Sequence, residues 1–417
     1  MRVLLVCHAY PPFGVAGVER VSAQTAEGLT ARGHEVTVLT RRPSAAPPRH
    51  QLEREPRRGI PVISIAGGGT EPPPFPDHLP ALERLFERVL VELDPDVVLA
   101  THLMQHSPGY VGIAHRFGVP FVLELHDFFM LCPRAGLRRV SGEACAGPEG
   151  GEACARFCFG GEEGAEDRWS LRERRFAEAI ERADEVLAPS PFVAEVFAPG
   201  RRASPVRVVP NAIGELGPVV RSARDPSAPL SLASIGLTVE HKGFQVVVEA
   251  LRRAALPTSR YTIFGHVLQP LAGELRRRAA EVPGLELRLF GDFSPRHLPV
   301  LLADTDLLVV PSLYPETFSI VVREGWACGL PAIAARIGAL PEAIRPGVNG
   351  WLFEPGDATG LAALLGELDR DRDQIDAAAA GIRAEDIVSA VTRVSAIEEL
   401  LEGVVARHPP LGGVRPR

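Results

Sequence analysis

The side chains with the most pointed chemistry in this sequence are also its scarcest. Lys242, in "TVEHKGFQ", is the only lysine of a 417-residue chain, and Asn211 and Asn349 are its only asparagines. A chain rich in Ala, Gly, Pro and Arg uses arginine wherever either cation serves. A surviving lysine therefore marks a position that needs a compact ammonium, and such a point charge suits phosphate. A second concentration is "VVPSLYPETFSIVVREGWACGLPAIA", which carries Glu316 and Glu324. It reads as a strand ending at Pro311, a loop with Glu316, and a helix that begins near Thr317 or Phe318, runs to Cys328 and is closed by Gly329. Glu324 then lies about 11 Å along the helix from its start. An anion at that helix N-terminus, beside Thr317 and Phe318, meets the N–H groups of Ser319 and Ile320 and the positive end of the dipole. A sugar nucleotide fits the set. Its diphosphate rests on the helix and Lys242, its sugar hydroxyls donate to Glu316, and its ribose is held by Glu324.

The elements that must position these residues alternate. "RVLLVCHA", "HEVTVLT", "DVVLATH", "PFVLELHD", "EVLAPS" and "VRVVPNA" are strand-like runs separated by helical patterns, and "LSLASIG", "RYTIFGH", "LELRLFG", "DLLVVPS" and "PAIAAR" repeat the arrangement. Such alternation means βαβ units and parallel sheets. The expected class is α/β with two doubly wound, Rossmann-like domains whose strand ends face a central cleft. Residues 1–213 form the first, 214–230 a Gly- and Pro-rich linker, 231–395 the second, and 396–417 a helix and tail packing back on the first. Residues 41–80, rich in Pro and Arg, read as a long surface loop around one strand, "PVISIAG".

A net charge of −7 argues against nucleic acid as a partner. The arginines at 41, 42, 49, 54, 57 and 58 read either as a solvated loop or as a surface for acidic lipid or an acidic acceptor. The opening apolar run is too short for a signal peptide, and no stretch reaches the ~20 apolar residues of a membrane helix. A cytoplasmic protein with peripheral membrane contact is expected. Cys132, Cys145, Cys154 and Cys158 crowd a glycine-rich insertion at about 132–160, where structural zinc, free thiols and disulfides are all open readings. Cys7 and Cys328 sit in apolar runs and read as small buried hydrophobes.

"PETFSIVVREGWACGLPAIAARIGALPEAIRPGVNGWLFEPGD" closely resembles the C-terminal signature of the family 4 retaining glycosyltransferases, with their Glu-x7-Glu pair and GT-B fold. "PPFGVAGVERVS", "ELHD", "APS", "VVPNAI" and "HKG" extend the resemblance over nearly the whole chain. It implies a diphosphate-binding role for Lys242 and a close approach of the loop Gly14 to Gly17 to donor or acceptor, with Ala16 where the family usually has glycine. It implies that His126 faces the transferred sugar, with Asp127 and Asn211 nearby. Gly236, Gly265, Phe290 and Gly291 would line the nucleotide. The implied chemistry is transfer of a sugar from a nucleotide diphosphate sugar to a cell-envelope polysaccharide, lipid-linked or small-molecule acceptor, with retained configuration and no cofactor required for catalysis. His126, Lys242 and Glu316 would be catalytic. Leu237 departs from the family, which commonly places arginine there. That departure motivates one alternative, a catalytically silent GT-B sugar- or partner-binding protein; a nucleotide-sugar epimerase on a similar two-domain fold is another.

Overall fold

The computed structural model describes residues 1–14, 16–42, 50–67, 80–160, 164–198, 205–217, 219 and 228–408. The chain divides into two units, Met1–Asn211 joined by the segment from Ala390, and Ala212–Ser389. Strands of the first unit are β1 (Arg2–Cys7), β2 (Glu35–Arg42), β3 (Gln51–Arg57), β4 (Ile60–Ala66), β5 (Val97–Ala100), β6 (Phe121–Glu124), β7 (Glu185–Ala188) and β8 (Arg207–Val208). They pair in the order β3-β4-β2-β1-β5-β6-β7-β8. All pairs are parallel except the β3–β4 hairpin.

β1 is apolar without alternation because helices cover both faces of the sheet. Leu4 and Val6 join one core with Phe86, Tyr110 and Phe176. Val3, Leu5 and Cys7 join the other with Ala26 and Leu29 of helix Gly17–Ala31 and with Val394, Ile397 and Leu401 of helix Ala390–Arg407. The second unit repeats the plan with β9 (Leu230–Ile235), β10 (Ser259–Phe264), β11 (Leu285–Gly291), β12 (Leu307–Val310), β13 (Ala332–Ala335) and β14 (Gly350–Phe353). Its order is β11-β10-β9-β12-β13-β14, all parallel. In each unit the first strand lies where the winding reverses, and ligands of such sheets bind beyond the carboxyl ends of strands at that point.

The structure corrects the sequence reading in several places. Residues 51–57 form the edge strand β3 rather than loop, turning into β4 through Arg58 (φ 50°) and Gly59 (φ 81°). Two successive left-handed residues are what a tight hairpin requires. Glu, Arg and Pro are poor strand formers, and here pairing with β4 overrides them. The unit boundaries also shift. Residues 212–217 already belong to the second unit, where Ile213 N–H bonds Val388 O at 3.1 Å and Gly217 N–H bonds Arg296 O at 3.0 Å. The return to the first unit falls at Ala390, where a continuous helix begins, rather than at 396. Most of the remaining expected linker lies outside the described residues.

The arginine cluster is largely paired. Arg42 meets Glu53, Arg54 meets Glu92 and Arg58 meets Glu27, while Arg41 is buried and donates to Ile65 O and Gly67 O. Arg49 lies outside the described residues. Among the described residues, no helix is long and apolar enough to cross a membrane.

Helix Ala390–Arg407 docks closely because Gly28 leaves room for it. A Cβ at Gly28 would stand 2.5 Å from Val394 Cγ2. Gly28→Val should therefore destabilise the protein by ~1–3 kcal/mol through overpacking, despite valine's better helix propensity, read as a lowered midpoint in denaturant.

Candidate active site

In the second unit the loop after β9 carries Lys242 in the single turn Glu240–Lys242, between Gly236 and helix Phe244–Ala254. Gly243 adopts φ 76°, and a Cβ there would lie 1.9 Å from Pro311 O, so only glycine lets this loop touch the loop after β12. Leu313 N–H then bonds His241 O at 2.8 Å, fixing the two loops together. Lys242 Nζ donates to Glu316 Oε1 at 2.9 Å and to the Tyr314 hydroxyl at 2.8 Å. Ser312 Oγ donates to the same Glu316 oxygen at 2.6 Å. The backbone of Glu316 is held in turn by Ala339 N–H at 2.8 Å and crowded by Gly338, where a Cβ would stand 2.4 Å from Glu316 O.

Burial alone would lower the pKa of Lys242, but Glu316 and then Tyr314 outweigh it and hold the ammonium above the ordinary lysine range. Burial would raise Glu316, and the Lys242 charge outweighs it, so the carboxyl stays below its usual range. Burial pushes the Tyr314 phenol up to about 12. At neutral pH the cluster is an ammonium, a carboxylate and a neutral phenol.

The following helix is Ile320–Ala327, two to three residues later than the sequence suggested, with Ser319 at its N-cap in a left-handed conformation (φ 61°). Val322 N–H closes the first turn on Ser319 O at 3.2 Å, and the N–H groups of Ile320 and Val321 lie ahead of that bond. Ser319 Oγ is buried and has no hydrogen-bond partner among the described residues. Glu324 is almost fully buried on this helix. It stands ~6 Å along the axis from Ile320 rather than the 11 Å expected, because the helix starts later. Thr317 and buried Phe318 precede the cap, and Arg323 covers the Phe318 ring at 3.9 Å.

Gly236, Gly265 and Gly291 end β9, β10 and β11 in close register. A Cβ on Gly265 would lie 2.3 Å from Gly236 O, and Gly265 N–H bonds Gly291 O at 2.9 Å. Phe290 packs on Phe264 with centroids 5.1 Å apart yet remains half exposed. Leu237 is exposed in the loop that carries Lys242.

In the first unit the strand ends carry more histidine than the sequence reading picked out. His126 Nε2 lies 2.5 Å from Glu124 Oε2, which also accepts from Arg393 Nη2 at 2.6 Å. Arg393 further donates to the carbonyls of Val209 and Pro210. Burial would raise the Glu124 pKa, but Arg393 and then His126 hold it down at about 2, so the carboxylate accepts and His126 carries its proton on Nε2. Met104 N–H donates to His102 Nδ1 at 2.9 Å, which puts the His102 proton on Nε2, facing Asp127 Oδ2 at 3.0 Å. His8 meets Glu19 at 3.2 Å and packs on His102 with centroids 4.6 Å apart. Gly14 admits Glu19, since a Cβ there would lie 2.8 Å from Glu19 Cγ, while Ala16 is the N-cap and Gly17 the first residue of helix Gly17–Ala31. Buried Asn211 has no partner for its side-chain oxygen among the described residues.

His126, Asp127, His8 and His102 thus gather at one sheet edge, and Lys242, Glu316 and the helix-start residues at another. Sequence reasoning missed His8, Glu19, His102, Glu124, Arg393, Ser312 and Tyr314. The available signal was position, because His8 and His102 follow β1 and β5 as His126 follows β6.

Glu124 gives the first unit an acid-sensitive anchor. Its folded pKa of about 2 lies below the ordinary 4.5, so its stabilisation is complete above pH ~5 and is lost as pH falls towards 2. The stability gap between wild type and Glu124→Gln, measured by urea unfolding across that window, should shrink by on the order of 3 kcal/mol on acidification. A gap independent of pH would show that Glu124 titrates normally.

Residues 15–214 match the family model described as Glycosyltransferase Family 4, and residues 230–371 that of Glycosyl transferases group 1. Over 387 residues the chain is 28% identical to glycogen synthase of Mycobacterium tuberculosis, covering 88% of this chain and 85% of that one. It is 27% identical over 420 residues to D-inositol 3-phosphate glycosyltransferase of Acidothermus cellulolyticus, covering 93% and 84%. In fold it is similar to Anabaena HepE, solved in complex with UDP, with a TM-score of 0.70 at 19% identity over 97% of this chain and 100% of that one. Sucrose-phosphate synthase from Thermosynechococcus elongatus is similar too, with a TM-score of 0.68 at 17% identity, covering 97% and 99%. Sequence matches along both units and the paired parallel sheets agree: the chain belongs to the family 4 glycosyltransferases and has the GT-B fold.

Proposed function

We propose that this glycosyltransferase is retaining and metal-independent, and that it moves a hexosyl group from a nucleoside diphosphate sugar to a glycan, lipid-linked or small-molecule acceptor. The observation that carries the reading is Lys242, a half-buried ammonium held by Glu316 and Tyr314 in the loops that end β9 and β12. The second of those loops runs directly into the N-terminus of helix Ile320–Ala327. Support for a nucleoside diphosphate comes from the similar HepE structures, which are complexes with UDP and with UDP-glucose, and from a starch synthase IV domain bound to ADP and acarbose.

On this reading the diphosphate takes the N–H groups at the helix start, the unpartnered Ser319 hydroxyl and the Lys242 ammonium. Phe290 offers a ring face to the base, Glu324 accepts from ribose hydroxyls and Glu316 from the sugar. The acceptor hydroxyl attacks the anomeric carbon on the face that the diphosphate leaves. A phosphate oxygen takes the hydroxyl proton as the sugar–phosphate bond breaks and the new glycosidic bond forms. The protein contributes position and a fixed positive field for the developing diphosphate charge. His126, with its tautomer set by Glu124, serves the sugar or acceptor from the first unit. Peripheral attachment to the cytoplasmic face of a membrane accompanies a lipid-linked acceptor. The exposed Leu237, standing where a second cation is expected, favours one competing reading, a protein of this fold that binds nucleotide without transferring sugar.

Calorimetric titration with UDP, GDP and ADP tests the donor site. One nucleotide should bind clearly best, and Glu324→Ala should weaken it. Lys242→Ala alone leaves Glu316 buried and unpaired, at a stability cost of ~3–5 kcal/mol, so the informative variant is Lys242→Ala with Glu316→Gln. Because Glu316 is assigned to the sugar, the double variant should bind the bare nucleotide ~10- to 100-fold more weakly through loss of Lys242. Unchanged affinity in folded double variant would remove Lys242 from the diphosphate site.

A further inference from the structure

The cysteine-bearing insertion has no part in the site described above, yet it is ordered against the first unit. Arg172 is buried between the Phe129 and Phe176 rings and donates to the carbonyls of Phe129 and Leu131 just ahead of the insertion. Gly151 packs backbone to backbone on helix Ala165–Arg182, where a Cβ would lie 2.3 Å from Ser170 N. The insertion's own apolar cluster is small, Cys154, Ala155 and Phe159 around Trp169, while Cys132 and Leu137 join the larger core of the first unit. Its regular structure is one short 3-10 turn, Glu149–Gly151, and the six-residue helix Glu152–Phe157. Ala135, Leu137 and Glu149 are held at positive φ, a conformation that persists only where surroundings enforce it.

All four cysteines of the insertion line one cavity, together with Leu137 and Phe159. The cavity measures about 10 Å³, room for one ion or water. All four are free thiols in this conformation, and no three of their sulfurs lie within 4.8 Å of one another. Cys145 turns its thiol to Gly147 O at 3.4 Å. Arg134 and Arg138 also line the cavity, and among the described residues no carboxylate does. Cationic neighbours without acids suit a cluster whose charge is negative once its thiols ionise.

We propose that Cys132, Cys145, Cys154 and Cys158 are the four ligands of a structural zinc ion that staples the insertion. A tetrahedral site there would place each sulfur ~2.3 Å from the metal. Each thiol gives its proton to solvent as its sulfur binds zinc, with no change of oxidation state, and the product carries two negative charges that the flanking guanidiniums balance. Because each sulfur must lose its proton to bind the metal, zinc affinity rises with pH. The site has no position left for substrate, so its role is to hold the loop that follows His126 and Asp127. A competing place for a cation is His34 with Glu398 and Glu402, the only group of described residues that brings three ligand atoms within 4.8 Å. Both His34 nitrogens are already engaged there, by the Met1 amine and Glu398, and Arg32 sits on Glu398 at 2.6 Å.

Full-length protein purified in reductant should retain about one equivalent of zinc by elemental analysis. After removal of the metal, titration with Co²⁺ alone should give the intense thiolate-to-metal and tetrahedral d–d bands of a four-sulfur site. Cys154→Ser should weaken zinc binding by more than the ~100-fold typical of losing even an outer-shell partner, while Cys328→Ser should leave it unchanged. If Cys154→Ser does not fold, the metal-free wild-type titration decides alone. Retention of zinc by folded Cys154→Ser would place the metal elsewhere. Reduced wild type that takes up neither metal, or intact mass showing two disulfides in protein purified without reductant, would overturn the assignment.

Discussion

The interaction on which the loops at the second unit's strand ends depend is the ion pair between Lys242 and Glu316. Taking two charges out of water costs several kcal/mol each, and the attraction repays this only where geometry and further hydrogen bonds are good. Here Ser312 and Tyr314 supply those bonds. The pair also explains why the loops around it tolerate so little. Gly243 and Gly338 each bring backbone against backbone, one beside Lys242 and the other on Glu316, and any side chain there would push the partners apart. Two strand ends are thus locked by one electrostatic contact that local packing has been shaped to permit.

Much of this was legible in the sequence. Both parallel sheets follow from apolar runs alternating with amphipathic helices, because a strand buried on both faces has no other way to read. Lys242 stood out by scarcity, and Glu316 and Glu324 by their setting between a strand and a helix. The start of that helix was set too early, at Thr317 or Phe318, whereas Ser319 is forced into a left-handed conformation after a loop pinned by Ala339 and Gly338. Those constraints arrive from a later strand, and local propensity contains no trace of them. β3 was missed for a related reason, since its partner rather than its composition makes it a strand.

The least legible feature was the link from Arg393 to Glu124 and His126. Its members lie 269 residues apart, and an arginine in the helix Ala390–Arg407 looks like any solvated helix residue until the helix is seen packed on the first unit. The helix also binds the carbonyls of Val209 and Pro210, beside Asn211, where the chain leaves that unit. One guanidinium therefore fixes both the acid that orients His126 and the point at which the chain crosses over.

The two units hold buried charge in different ways, and the difference separates binding from support. Arg393 and Glu124 are sealed, with side chains 2% and 3% exposed, and both guanidinium nitrogens that donate are committed to protein oxygens. Such a group cannot exchange partners without unfolding its surroundings, so it can only orient. Lys242 is 22% exposed against 9% for Glu316, and an ammonium has three donors, of which Glu316 and Tyr314 take two. It can meet an incoming anion while keeping the contacts that hold it. An arginine in the same place would bring a broad planar fork into a space shaped for a point charge, which gives a physical reason for one lysine to persist in a chain otherwise supplied with arginine.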